Sequence, residues 1–189
     1  MKNICVYCGS NVGVRGEYAD AARQLARHLA GAGVGIVYGG ASKGIMGILA
    51  DEMLEAGGEV IGVIPEALQA REIAHRGLNE LHVVNSMHER KAMMAELSDA
   101  FVALPGGFGT LEEIVEMLTW AQLQIHDKPC ALLNVAGYFD GLLSYLDHAV
   151  AEGFLRQQHR TMLLVAEDAE ELMRCFEEYR APAVQKWLR

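Results

Sequence analysis

Short, wholly apolar runs alternate along this chain with longer stretches in which apolar residues recur every three or four positions. The apolar runs are residues 4–7, 34–38, 60–64, 100–104, 130–133 and 162–165, with 81–84 a weaker seventh. Runs of this length without polar alternation predict strands buried on both faces. Between them the helical period predicts helices over 17–30, 45–56, 87–97, 111–124, 139–152 and 168–179. In the first of these, Tyr18, Ala21, Ala22, Leu25 and Leu29 share one side. Doubly buried strands separated by helices imply an α/β fold: a doubly wound, mostly parallel, Rossmann-like sheet with helices on both faces.

At 189 residues the chain suits a single domain, expected over residues 1–180. No internal repeat or Pro- or Ser-rich linker divides it, and Ala181-Pro182 ends the helical pattern, which leaves 181–189 as a C-terminal tail. Hydrophobic residues at 51% and charged residues at 22% fit a soluble globular protein. Met1 to Tyr7 reads as a short strand and not as a secretory signal. No apolar run approaches the roughly 18–20 residues that span a bilayer, so a cytoplasmic location is expected. The net charge of −9 disfavours nucleic-acid backbones and anionic membranes as partners, but not a small anion held by local amides and cations.

Cys5 and Cys8 form a C-x-x-C, whereas Cys130 and Cys175 stand alone. Without a second such pair, the thiols are expected to pack as small hydrophobes. His88-Glu89 has no histidine at the zinc-protease spacing, so no metal is expected.

The glycines cluster where the predicted strands end, which is where such sheets bind ligands. Gly9-Ser10-Asn11 follows the first strand, Gly39-Gly40-Ala41-Ser42-Lys43-Gly44 the second, and Pro105-Gly106-Gly107-Phe108-Gly109-Thr110 the run at 100–104. Glycine lets backbone approach a ligand closely, and Thr110 is expected to open a helix whose free amides and dipole favour an anion. Ser10 and Ser42 are candidate donors, Ser42 being equally a helix cap. Neither the Walker lysine pattern nor the full dinucleotide fingerprint is present.

Thr110 and Glu113 have capping-box spacing, in which case Glu113 would serve only the helix. The catalytic reading places the same carboxylate in the first helical turn, ionised by the dipole and facing a developing positive charge. Glu112 points to a different side and is the fallback. A second cluster, Met87-His88-Glu89-Arg90-Lys91-Ala92-Met93-Met94, offers Arg90 as a two-pronged anion clamp, although adjacent Arg-Lys is usually a solvated cationic surface.

Taken together, residues 37–47, 87–91 and 105–113 resemble the LOG (Lonely Guy) family of cytokinin riboside 5'-monophosphate phosphoribohydrolases, whose signature P-G-G-x-G-T-x-x-E follows an upstream Arg-Lys. The similarity continues through 120–129 and 132–138 and fades after about Tyr179. The resemblance implies hydrolysis of the N-glycosidic bond of N6-modified adenosine 5'-monophosphates, or AMP, to free base and ribose 5-phosphate. It implies Arg90 and Glu113 as catalytic residues, with Glu72, Lys91, residues 107–110 and Thr119 contacting the nucleotide. It also implies a homodimer or higher homo-oligomer, and no cofactor. Base selectivity is assigned to the pocket around Met94. Ala41 and Asn11 depart from the residues many relatives carry, a third Gly and a second Ser, and touch neither Arg90 nor Glu113.

Loss of the base leaves positive charge on the ribose, which an ionised Glu113 would stabilise while orienting water. Arg90 cannot release a proton and acts electrostatically, so the general acid is unassigned. The rival reading is a non-catalytic nucleotide or molybdenum-cofactor carrier of the same fold. A pyridoxal-dependent decarboxylase is a third, but no segment has the logic of a Schiff-base lysine with a partner for the ring nitrogen.

Overall fold

A computed structural model describes residues 1–72 and 74–182, the side chains of Ala70, Arg71 and Glu72 excepted. In chain order the elements are β1 (Asn3–Tyr7), α1 (Gly16–Gly31), β2 (Gly35–Tyr38), α2 (Gly44–Glu55), β3 (Val60–Pro65), α3 (Glu66–Glu72), β4 (Glu80–Val84) and α4 (Met87–Glu96). They continue with β5 (Ala100–Ala103), α5 (Phe108–Gln122), β6 (Cys130–Leu133), a 3-10 turn (Val135–Gly137), α6 (Asp140–Ala151), α7 (Gln157–Arg160), β7 (Leu163–Ala166) and α8 (Ala169–Glu178). All strand pairs are parallel, in the order β4-β3-β2-β1-β5-β6-β7. This is the doubly wound α/β sheet that the apolar runs predict.

Strand residues alternate between two cores. Ile4, Val6, Ile36 and Tyr38 pack with Leu25 and Leu29 of α1, Leu49 and Met53 of α2 and Phe176 of α8. Cys5, Tyr7, Val37 and Phe101 face the other way, towards Met94 of α4 and Ile114 and Met117 of α5. Leu25, Leu29, Leu49 and Met53 are completely buried, and each stabilises the fold by about 1.5–3 kcal/mol relative to exposure. Strand β4 gave the weakest signal because it is the sheet's edge: Glu80, Leu81 and Val83 are exposed and only Val84 is buried.

Three short helical pieces, α3, α7 and the 3-10 turn, lie outside the predicted set. With 7, 4 and 3 residues they are too short to display two repeats of an apolar period. Ala181 and Pro182 follow α8 outside any element, and the rest of the expected tail, 183–189, lies outside the described residues.

Candidate active site

The strand order reverses at β1: β2, β3 and β4 extend to one side and β5, β6 and β7 to the other. The loops leaving β1 and β5 therefore diverge and open a crevice at the carboxyl edge of the sheet. They are joined at its base by a hydrogen bond from Gly9 N–H to Pro105 O, 3.1 Å. The crevice holds about 210 Å³ and is walled by Cys8, Ser10, Met46, Arg90, Thr110 and Glu113, with the backbone of residues 107–109 along one side. A neighbouring cavity of about 250 Å³ shares Gly9, Ser10 and Gly107 and adds Tyr18 and Tyr138.

Two helices begin beside this crevice, and their first amides have different fates. At α2 the amides of Ile45 and Met46 donate to Gly9 O at 3.0 and 3.4 Å. That helix end is closed by the protein itself, with Lys43 at the N-cap position and no side-chain cap. Ser42, read from the sequence as either a cap or a phosphate donor, is an exposed residue one position before that N-cap. At α5 the first intrahelical bond is Leu111 N–H to Gly107 O, 3.1 Å. The amides of Phe108, Gly109 and Thr110 precede it and have no acceptor within the helix, so this end can hold an anion.

Helix α5 starts earlier than its sequence suggests. Gly107, extended at φ −95° and ψ −150°, is the N-cap, which makes Thr110 the third helical residue instead of the cap. The capping box between Thr110 and Glu113 does not form. Thr110 is buried with its side chain against Gly106, where a Cβ on Gly106 would overlap it. Glu113 falls in the second turn instead of the first and turns inward to the crevice wall, buried.

Opposite it stands Arg90. Helix α4 is capped by Ser86, whose Oγ accepts Glu89 N–H at 3.1 Å, while a Glu89 carboxylate oxygen accepts Asn85 N–H at 2.8 Å. The Ser86-x-x-Glu89 spacing announced this cap, and the sequence reading overlooked it. One turn into α4, the Arg90 Nε donates to Val63 O at 3.1 Å and Nη1 lies 3.3 Å from Glu113 Oε1. The third nitrogen, Nη2, presses on Gly39, where any Cβ would overlap it. The side chains of Arg90 and Glu113 are 9% and 10% exposed, a nearly buried ion pair with one open side.

The remaining sequence candidates separate into two groups. Ser10, Gly107, Gly109 and Thr110 line the crevice, Gly106 sits just behind it, and Gly39 supports Arg90. Gly40, at φ +76°, packs against Ile64 and Leu81, and its carbonyl accepts His75 N–H at 2.9 Å. Lys91 is turned away from the crevice towards α5, donating to Glu112 at 2.6 Å and Glu116 at 3.0 Å. Burial opposes its charge, yet those two carboxylates hold its pKa above the usual lysine value. Met94 is fully buried in the core beneath the sheet, and Met46 takes the crevice position instead. Thr119 is exposed in the fourth turn of α5, its Oγ1 donating to Val115 O at 2.8 Å. It borders an apolar cavity of about 130 Å³ between α5 and α6, away from the crevice. Glu72 ends α3, and its side chain lies outside the described residues.

The C-x-x-C thiols belong to opposite cores and do not face each other. Burial pushes the Cys5 thiol up to about 12, and burial followed by the charge of Glu113 raises Cys8 also. Both remain protonated, unreactive packing residues.

A family model described as "Possible lysine decarboxylase" matches residues 46–176. A cytokinin riboside 5'-monophosphate phosphoribohydrolase of Arabidopsis thaliana is 50% identical over 179 residues, covering 95% of this chain and 84% of the relative. One from Oryza sativa subsp. japonica is 49% identical over 179 residues, covering 95% and 74%. Among solved structures, a molybdenum cofactor carrier protein from Chlamydomonas reinhardtii superposes with a TM-score of 0.69 at 22% identity, over 94% of this chain and 96% of its own. At that identity the likeness concerns the fold alone.

Proposed function

Because the chain belongs to the family of cytokinin riboside 5'-monophosphate phosphoribohydrolases, we propose that it hydrolyses the N-glycosidic bond of N6-modified adenosine 5'-monophosphates, or AMP, releasing the free base and ribose 5-phosphate. The observation that carries this reading is the Arg90–Glu113 pair at 3.3 Å, on the wall of a crevice also lined by the first residues of α5, whose amides have no acceptor within the helix. One end of the crevice suits a phosphate and its wall suits a developing cation.

The phosphate of the substrate lies against the amides of residues 107–110 and fixes the sugar. As the bond to the base lengthens, positive charge grows on the ribose, and the Glu113 carboxylate stabilises it and takes a proton from the attacking water. Arg90 keeps its proton and sets the position of Glu113 through its bonds to Val63 and the carboxylate. Water supplies the hydroxyl of ribose 5-phosphate, and the departing nitrogen gains a proton.

The reading includes a homodimer. Its support is an apolar face on α5 and α6: Phe108 is 94% exposed, Val115 42% and Tyr145 65%, and no residue of α6 is buried. It also includes a cytoplasmic location, supported by four free cysteines, which fit a reducing compartment. No helix among the described residues is long and apolar enough to cross a membrane.

The test is release of free base from AMP, followed chromatographically, by the native protein and by Glu113→Gln. The native protein releases adenine, and the variant is slower by about 100-fold or more. AMP binding without base release in either form would instead indicate a carrier.

A further inference from the structure

Three successive carbonyls in the turn between β5 and α5 are each held by a donor within the protein. Pro105 O accepts Gly9 N–H at 3.1 Å, and Gly107 O accepts Leu111 N–H at 3.1 Å. Between them, Gly106 O accepts the Tyr138 hydroxyl at 2.6 Å. No described peptide bond is cis, so each following N–H points opposite to its carbonyl. Holding three carbonyls therefore fixes the directions of the Gly106, Gly107 and Phe108 amides.

The outer two contacts are backbone to backbone, and only the middle one depends on a side chain. It is also the unit most in need of restraint, since the Gly106–Gly107 peptide has no Cβ on either side to resist rotation. Tyr138 is itself firmly placed. Asn134 Oδ1 accepts Phe139 N–H at 2.7 Å, Asn134 Nδ2 donates to Asp140 at 2.8 Å, and Arg15 Nη1 donates to Ala136 O at 3.2 Å. The Tyr138 ring stands edge-on to Tyr18 and Phe139, with centroids 5.5 and 5.0 Å away. Tyr138 borders the 250 Å³ cavity but not the crevice of Arg90 and Glu113, whereas Gly107 borders both. With the Gly106 carbonyl turned to Tyr138, Gly107 N–H points the opposite way, and Gly107 lines the crevice where Tyr138 does not.

We infer that Tyr138 is a positioning residue whose hydroxyl fixes the Gly106–Gly107 peptide, so that Gly107 N–H meets the phosphomonoester end of the substrate. The inference rests on the proposed phosphate-holding role of this loop. Without the hydroxyl, the peptide can turn its carbonyl towards the crevice, where it repels the anion.

Tyr138→Phe keeps the ring and its aromatic contacts and removes only the hydroxyl. Inhibition of AMP hydrolysis by ribose 5-phosphate, ribose and adenine is measured for the native protein and the variant, together with thermal unfolding. The inhibition constant of ribose 5-phosphate is expected to rise about tenfold, with KM for AMP rising in parallel while kcat and adenine inhibition hold. A proportional loss of adenine inhibition would reveal a general structural role and overturn the inference, as would unchanged ribose 5-phosphate inhibition. If ribose 5-phosphate inhibits the native protein no better than ribose does, the phosphate-loop reading itself fails, and the inference falls with it.

Discussion

Lys91 Nζ lies 2.6 Å from Glu112 Oε1, one residue along from Arg90 and Glu113, whose charged atoms lie 3.3 Å apart. Consecutive residues of α4 thus meet consecutive residues of α5 in reverse order, and Glu116 adds a third contact 3.0 Å from Lys91. The outer pair braces the same helix contact on which the inner pair depends.

Lys91→Met should therefore act first on stability and geometry. Glu112 and Glu116 are 54% and 24% exposed and can regain water, so a loss of about 1–2 kcal/mol in urea unfolding is expected rather than the larger cost of a fully buried pair. kcat should fall with little change in KM, because Arg90 and Glu113 lose their alignment while the α5 amides do not. A rise in KM alone, at native stability, would show that Lys91 contacts the nucleotide. The sign with pH follows from its raised pKa: the contribution is complete below the unfolded lysine value of about 10.4 and is lost as pH rises through the folded value.

What the sequence revealed depended on length and locality. Six of the strands were legible because a buried parallel strand is apolar on both faces, whereas β4 blurred at the edge, where Glu80 and Val83 meet solvent. The Pro105–Glu113 loop was legible as a candidate anion site because glycines at a strand end bring helix amides to the sheet edge, whereas Arg90, beside Lys91, was singled out as catalytic only by the family resemblance. The start of α5 was misjudged: Thr110 is the better cap by residue type, but Gly107 takes that place and the backbone bonds of the loop decide. Lys91 and Thr119 were carried over from the family resemblance and Met94 was nominated from its place on the Arg90 helix, whereas their side-chain directions depend on how α4 and α5 pack. Tyr138 was within reach, since it follows β6 at the same sheet edge as the glycine loops, but its hydroxyl bond joins residues 32 positions apart.

Gly39→Ala tests how closely the guanidinium must be placed. The added methyl would overlap Arg90 Nη2 and crowd Met46 Sδ, 3.2 Å from the same point. Arg90 must then shift, and its bonds to Val63 and Glu113 stretch together. A displacement of about 1 Å at a catalytic group can cost roughly 100-fold in rate, so kcat/KM for AMP should fall by about tenfold or more. A crystal structure of the variant with Arg90 unmoved and activity retained would remove Gly39 from the supporting shell.

His126 makes the fold sensitive to acid at a place remote from the crevice. Lys128 N–H donates to its Nδ1 at 3.1 Å, so Nε2 carries the proton that Met117 O accepts at 3.0 Å. Burial is the main force lowering its pKa below 6.5, the bond to Met117 opposes it, and the charge of Lys128 lowers it further. The unfolded chain then binds more protons than the folded one just below that pH, and stability falls with acidification. Melting temperatures should be flat above about pH 6.5 and decline towards pH 5. The difference between the native protein and His126→Gln should narrow over the same interval; a constant difference would acquit His126.

The position of Thr119 gives the proposed homodimer a functional test. It lies nine residues beyond Thr110 on α5, roughly 14 Å along the helix axis, on the exposed face with Val115 and beside the cavity under α6. It does not line the crevice of its own chain, so a contact with substrate is expected to come from a second copy docked on this face. Val115→Arg and Tyr145→Glu place charges on that face without touching the crevice. In sedimentation velocity the native protein should run as a dimer and the double variant as a monomer. If Thr119 serves the partner's nucleotide, Thr119→Ala raises KM for AMP in the dimer and has no further effect in the monomeric variant. A native protein that sediments as a monomer while hydrolysing AMP at full rate would remove both the dimer and the role of Thr119.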